Sequence, residues 1–251
     1  MTVTAAQRWA RLQDGRGIPP EILAQAERTP WRHDVDRFVA PEIAEDTASR
    51  AAALGLLGAG GTVLDVGCGG GAAALALAGA ATHVTGVDRQ PDMLEAFAAT
   101  AARRGAPHRT VLGSWPDAAA AAGRADVVVC HHVLHNVVDL PPFLEALTAA
   151  AGRGVVVEMF TQHPMAWLDP LWLRFHDLRR PPSATSADAV AVLAELGITA
   201  TATEWERRPS IRQDVAWITR QLCLPAGRAG EVEAALAETP ARPTTVATLT
   251  W

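Results

Sequence analysis

The chain has 251 residues, 49% of them hydrophobic, which is enough for one well-buried core. Its formal net charge of −5 argues against a broad surface for nucleic acid or anionic membrane. No charged-then-apolar leader and no run of 18 apolar residues is visible, so a cytoplasmic protein without a membrane span is expected. All 22 cationic side chains are arginine, and tyrosine is also missing, which removes Schiff-base chemistry and any Lys or Tyr general base. Cys68, Cys130 and Cys223 are scattered and make no metal-binding spacing, so reduced thiols are expected.

The first 50 residues read as a helical cap carrying Trp9, Trp31 and Phe38. Short apolar runs then recur at Thr62–Val66, His83–Val87, Arg109–Leu112, Asp126–Cys130 and Gly154–Phe160. Such runs suit the strands of a buried parallel sheet. Helical stretches separate them over Ala72–Ala80, Pro91–Arg104 and Pro141–Ala151, two of them with proline near the start, where it is tolerated. A helix over Ser186–Leu196, a strand over Ile198–Trp205 and a last strand over Thr244–Trp251 follow. This alternation predicts one α/β domain over 1–251 with a doubly wound sheet. Its parts would be a cap (1–50), a ligand-binding core (51–160), a lid-like insertion (161–185), and C-terminal strands with a helical insertion at 206–242.

The first strand runs into Asp65-Val66-Gly67-Cys68-Gly69-Gly70-Gly71 and then into an Ala/Leu-rich segment. A strand, a glycine turn and a helix start let backbone amides approach a ligand closely. Asp88 ends the second strand 21 residues after Gly67, the place for a carboxylate that accepts both hydroxyls of a ribose. The sixth position of a dinucleotide fingerprint is Ala72, and Asp65 would repel a pyrophosphate while suiting an ammonium group. S-adenosylmethionine (SAM) has that ammonium and no phosphate. The D-x-G-x-G-x-G pattern after a strand, with Asp88 at its spacing, resembles motif I of class I SAM-dependent methyltransferases, over roughly 51–196.

The resemblance implies a Rossmann-like, seven-stranded sheet whose last strand is antiparallel, with SAM as cofactor. It implies that Asp65 favours the methionine ammonium and that the Gly67, Cys68, Gly69 and Gly71 backbone approaches the methionine and ribose. Asp88, followed by Arg89, would take the ribose hydroxyls, and Met93 would pack on the adenine. Gly113-Ser114-Trp115 stands where the family often has an acid for the adenine amino group, so Ser114 is the weak substitute and Trp115 a cover for the ring.

After the fourth strand comes Cys130-His131-His132-Val133-Leu134-His135-Asn136, which in the family faces the transferred methyl. Methyl transfer is an in-line displacement in which the protein mainly aligns the reactants, and an alcohol or phenol acceptor gains from a base near neutral pH. His131 is the first candidate for that base and His163 the second; His131 also lines the cofactor side. His131 and His135 are four apart but lack a third ligand, so no metal is expected and His135 is read as structural. Leu168, Leu171, Trp172, Phe175 and Leu178 repeat at helical spacing after an Asp169-Pro170 start with Asp169 as N-cap. That helix is expected to wall a pocket, with packing on the sheet or a homodimer contact as its alternatives. Arg207, Arg208, Arg212 and Arg220 are either holders of an anionic substrate or a solvated face. The function expected is methyl transfer to a small-molecule acceptor, oxygen slightly ahead of nitrogen, with no nucleic-acid or membrane partner. The rivals are a SAM-binding protein with other chemistry and a catalytically dead regulatory one.

Overall fold

The computed structural model describes residues 3–30, 32, 34–42, 44–208 and 214–251, so the expectations for Trp31 and Arg212 lie outside the described residues. Seven strands form one sheet: β1 (Gly61–Val66), β2 (Ala81–Asp88), β3 (His108–Leu112), β4 (Ala125–His131), β5 (Ala151–Phe160), β6 (Thr201–Glu206) and β7 (Thr245–Thr250). Their order is β3-β2-β1-β4-β5-β7-β6. β1 to β5 pair in parallel, while β7 runs antiparallel between β5 and β6. The predicted doubly wound sheet with an antiparallel last strand is therefore the observed one.

The helices in chain order are α1 (Ala5–Asp14), α2 (Pro20–Leu23), α3 (Ala48–Leu57), α4 (Pro91–Arg103), α5 (Ala119–Ala122), α6 (Leu140–Ala150), α7 (Asp169–His176), α8 (Ser186–Glu195), α9 (Val215–Gln221) and α10 (Ala229–Leu236). The two-residue period of the strands sends alternate side chains to opposite faces. Leu64, Val66, Val128, Cys130, Val155 and Val157 pack under α6 and α8 on one face. Val63, Val127, Val129 and Val156 pack under α3 and α4 on the other, around Phe97. Phe97 is fully buried, and Phe97→Ala would cost about 3–5 kcal/mol. Trp9 of α1 is buried too, its indole donating to the Val137 carbonyl at 2.8 Å, so the cap is anchored to the loop after β4.

Two local expectations differ. The predicted helix over Ala72–Ala80 is only a 3₁₀ turn, Ala74–Leu77. The turn begins where the Ala74 N–H donates to the Asp65 carboxylate, and the chain leaves it at Ala78 for β2 at Ala81. Asp169 is not the N-cap of α7; Leu168 is, without a side-chain bond. The Asp169 carboxylate instead accepts from both Nη atoms of the buried Arg16, at 2.7 and 3.0 Å. The apolar face of α7 joins Trp167, Ile22, Ile218 and Leu222 in a third cluster that fuses the cap with the two insertions rather than with the sheet. Among the described residues, no helix is long and apolar enough to cross a membrane.

Candidate active site

β1 and β4 lie side by side at the centre of the sheet, and their C-terminal ends, with those of β2 and β5, form the edge where open α/β sheets bind ligands. Gly67 turns at φ +70°, and its N–H and that of Cys68 donate to the Val87 carbonyl at 2.8 and 3.0 Å. A Cβ on Gly67 would come within 2.4 Å of Val133 Cγ2, so only glycine lets the loop pass under the chain leaving β4. The Cys68 side chain is buried toward Gly86, and burial pushes its thiol far up, so this residue offers a ligand only its backbone.

Asp88 is fixed by the loop it serves. Its Oδ2 accepts from the Gly69 N–H and its Oδ1 from the Gln90 N–H, both at 2.9 Å. Each oxygen keeps lone-pair capacity for another donor. Asp65 is fully buried and accepts from the Ala74 N–H at 3.1 Å. Burial, against that hydrogen bond and with the Asp88 charge adding to it, raises its pKa to about 7. A carboxylate in this state gains from a cation placed beside it. Arg89 and Ser114 are exposed, and Met93 is buried at the start of α4. Trp115 is half-buried and oriented by α6, its indole donating to the Phe143 carbonyl at 3.2 Å.

The histidines converge at the ends of β4 and β5 around Glu158, a residue the strand pattern had not singled out. Its signal was present as the one charge inside the apolar run Gly154–Phe160, and parallel register pairs it with His131. His132 Nε2 donates to Glu158 Oε1 at 2.8 Å, while His131 Nδ1 lies 3.8 Å from Oε2. Burial raises the Glu158 pKa, but the His132 hydrogen bond and the two imidazoles outweigh it and bring it down to about 2. Burial holds His131 at about 4, so it is neutral at neutral pH, and its Nε2 has no hydrogen-bond partner. His163 is lowered to about 3 by burial and by His135, and its Nδ1 accepts from the Met165 N–H at 3.1 Å. His135 donates from Nε2 to the Phe160 carbonyl at 3.0 Å and meets the His163 ring edge-on. Among the described residues, no group of three or more His, Cys, Asp or Glu is arranged to hold a metal ion.

The arginines divide. Arg220 is taken up by Asp34 in a two-pronged pair at 2.5 and 3.1 Å, while Arg207 and Arg208 are exposed at the end of β6.

A methyltransferase domain family matches residues 63–160, the stretch that holds the glycine loop, Asp88, His131, His132, His135 and Glu158 but not His163. The ubiquinone biosynthesis O-methyltransferase of Methylobacterium nodulans is 37% identical over 94 residues, which is 37% of this chain and 37% of that protein. The chain thus matches well under half the length of that curated relative. Among solved structures, YcgJ of Bacillus subtilis aligns over 80% of this chain and 96% of its own, with a TM-score of 0.57 at 17% identity. Magnesium protoporphyrin IX methyltransferase of Synechocystis, solved with bound S-adenosylhomocysteine, aligns over 76% and 73% with a TM-score of 0.50 at 19% identity. Residues 63–160 thus match a methyltransferase domain, and the sheet that carries them is Rossmann-like.

Proposed function

We propose that this protein transfers a methyl group from SAM to a small-molecule acceptor, with an oxygen acceptor ahead of a nitrogen one. The observation that carries the reading is the Asp88 carboxylate, clamped between the Gly69 and Gln90 amides at the mouth of the glycine loop. There it would accept the ribose hydroxyls, and the buried Asp65 would take the methionine ammonium. The bound cofactor supplies an electrophilic methyl on a sulfonium, and the rest of the work is alignment and exclusion of water. His131 is favoured over His163 for the acceptor's proton, because His131 Nε2 is free while His163 already spends Nδ1 on a backbone amide. A proton taken at Nε2 would be balanced by Glu158 behind the ring. The name of the Methylobacterium relative supports oxygen as the acceptor.

Calorimetric titration with SAM, S-adenosylhomocysteine and NAD tests the cofactor. The first two are expected to bind and NAD not, with Asp88→Ala weakening them about ten- to a hundredfold, as befits charge-assisted hydrogen bonds. Binding indifferent to Asp88 sinks the reading. Accumulation of S-adenosylhomocysteine with a phenolic acceptor panel separates methyl transfer from other SAM chemistry and from a dead site.

A further inference from the structure

Three arginines from distant parts of the chain meet at the ligand edge of the sheet. Arg207 follows β6 directly, and its N–H donates to the Thr244 carbonyl, which extends the β6–β7 ladder past Glu206 and Thr245. Arg242, two residues before Thr244 on the approach to β7, is half-buried. This end of β7 lies against the end of β5, where the Thr161 N–H donates to the Thr245 carbonyl and Val246 pairs with Phe160. Arg37 comes from the cap, one residue before Phe38, whose carbonyl accepts from the Gly70 N–H. The trio therefore spans from the cap segment that meets the glycine loop at Gly70 to the histidines, and Arg207 Nη1 lies 3.5 Å from His132 Nε2.

Its charge is not balanced. Arg37 pairs with Asp214 at 2.8 Å and stacks over Trp217 at 4.5 Å. Glu158 is already occupied by His132 and faced by His131. Neither Arg207 nor Arg242 has a carboxylate partner among the described residues, and residues 209–213 contain no acid. Burial and the like charges of Arg37 and Arg207 both press the Arg242 pKa downward. Holding a half-buried cation beside two others costs stability, and the arrangement suits an anion that enters from outside. We propose that Arg37, Arg207 and Arg242 form the acceptor-recognition subsite and select a substrate that carries a carboxylate or phosphate group next to the nucleophile presented to His131. The proposal rests on the methyl-transfer reading for the word acceptor, but the anion site is testable without it.

The test is calorimetric titration of the full chain with inorganic phosphate and, separately, with benzoate, in low-salt buffer, with and without S-adenosylhomocysteine. Saturable, salt-sensitive binding of at least one anion is expected in the native protein, weakened about tenfold or more in both Arg242→Gln and Arg207→Gln. Binding of benzoate alone would assign a carboxylate acceptor, and of phosphate alone a phosphorylated one. Arg242→Gln should also melt no lower than the native protein, since it relieves repulsion, whereas a purely structural arginine would lower it. Absence of saturable binding of either anion, or equal binding in both variants, overturns the subsite. Failure of S-adenosylhomocysteine to bind, with the anion result intact, would instead count against the methyl-transfer reading alone.

Discussion

Asp65 shows how one buried residue can couple binding to protons. Its folded pKa of about 7 stands above its ordinary 3.8, so the native chain holds a proton there that the unfolded chain releases. The sign follows: its stability contribution is complete below pH 3.8 and is lost as pH rises through about 7. An ammonium group delivered beside this carboxylate pulls the pKa back down, and binding must expel the proton. SAM titrations at pH 6 in two buffers of different ionisation enthalpy should therefore show release of up to about one proton, abolished in Asp65→Asn. Equal heats in both buffers would mean that the carboxylate does not meet the ammonium. The type and spacing of Asp65, the glycines and Asp88 were legible in the sequence because one short loop carries them. Glu158 was half-legible, as a charge in an apolar strand. Arg37 and Arg242 were not, since 205 residues separate them and only the tertiary fold brings them together.

Among the elements, the strap at residues 37–40 lies against the glycine loop. Gly70 donates to the Phe38 carbonyl at 3.1 Å and accepts from the Ala40 N–H at 3.3 Å, and Val39 bridges Gly70 and Gly71. Ion pairs pin the segment on both sides, Arg32 with Asp92, Asp34 with Arg220 and Arg37 with Asp214. A Cβ at position 70 would stand 2.5 Å from the Phe38 carbonyl oxygen and 2.7 Å from Val39 Cα, both backbone atoms that cannot rotate away. Gly70→Ala should lift the strap, and amide exchange at Ala40 should accelerate about tenfold or more while β1 and β4 stay protected. Unchanged exchange would show that the strap is not held by this contact. No periodic pattern marks such a segment, because its partner is backbone, and backbone leaves no trace in residue type. Trp115 gives the opposite lesson: its identity was legible, but its indole is turned by a carbonyl on α6, which spacing along the chain cannot reveal.

For the molecule as a whole, the buried histidines set the acid limit. His131 and His135 stand at about 4 and His163 at about 3, below the ordinary 6.5, in each case chiefly through burial. Groups held neutral in the native state favour it fully above pH 6.5, and that advantage drains away as pH falls toward 4. Asp65 opposes them with one proton, so about two remain uncompensated, worth on the order of 2 kcal/mol per pH unit. Urea unfolding at pH 7 and pH 5 should show that loss, with a shallower slope in His163→Gln. A flat profile would mean that these rings are wetter than their burial implies.

The antiparallel β7 sits between β5 and β6, although it is made after both. A nascent chain that has reached only β6 has an open edge on β5 and a strand with no neighbour to join. Docking must wait for β7, whose arrival seals the open edge of β5 and seats β6 in one event. Assembly of this half of the sheet is thus a late, long-range step, and until it happens the edge of β5 is open to the wrong partners. The same late strand pair is flanked by Arg207 and Arg242, so the chain cannot possess its cationic corner before its sheet is closed.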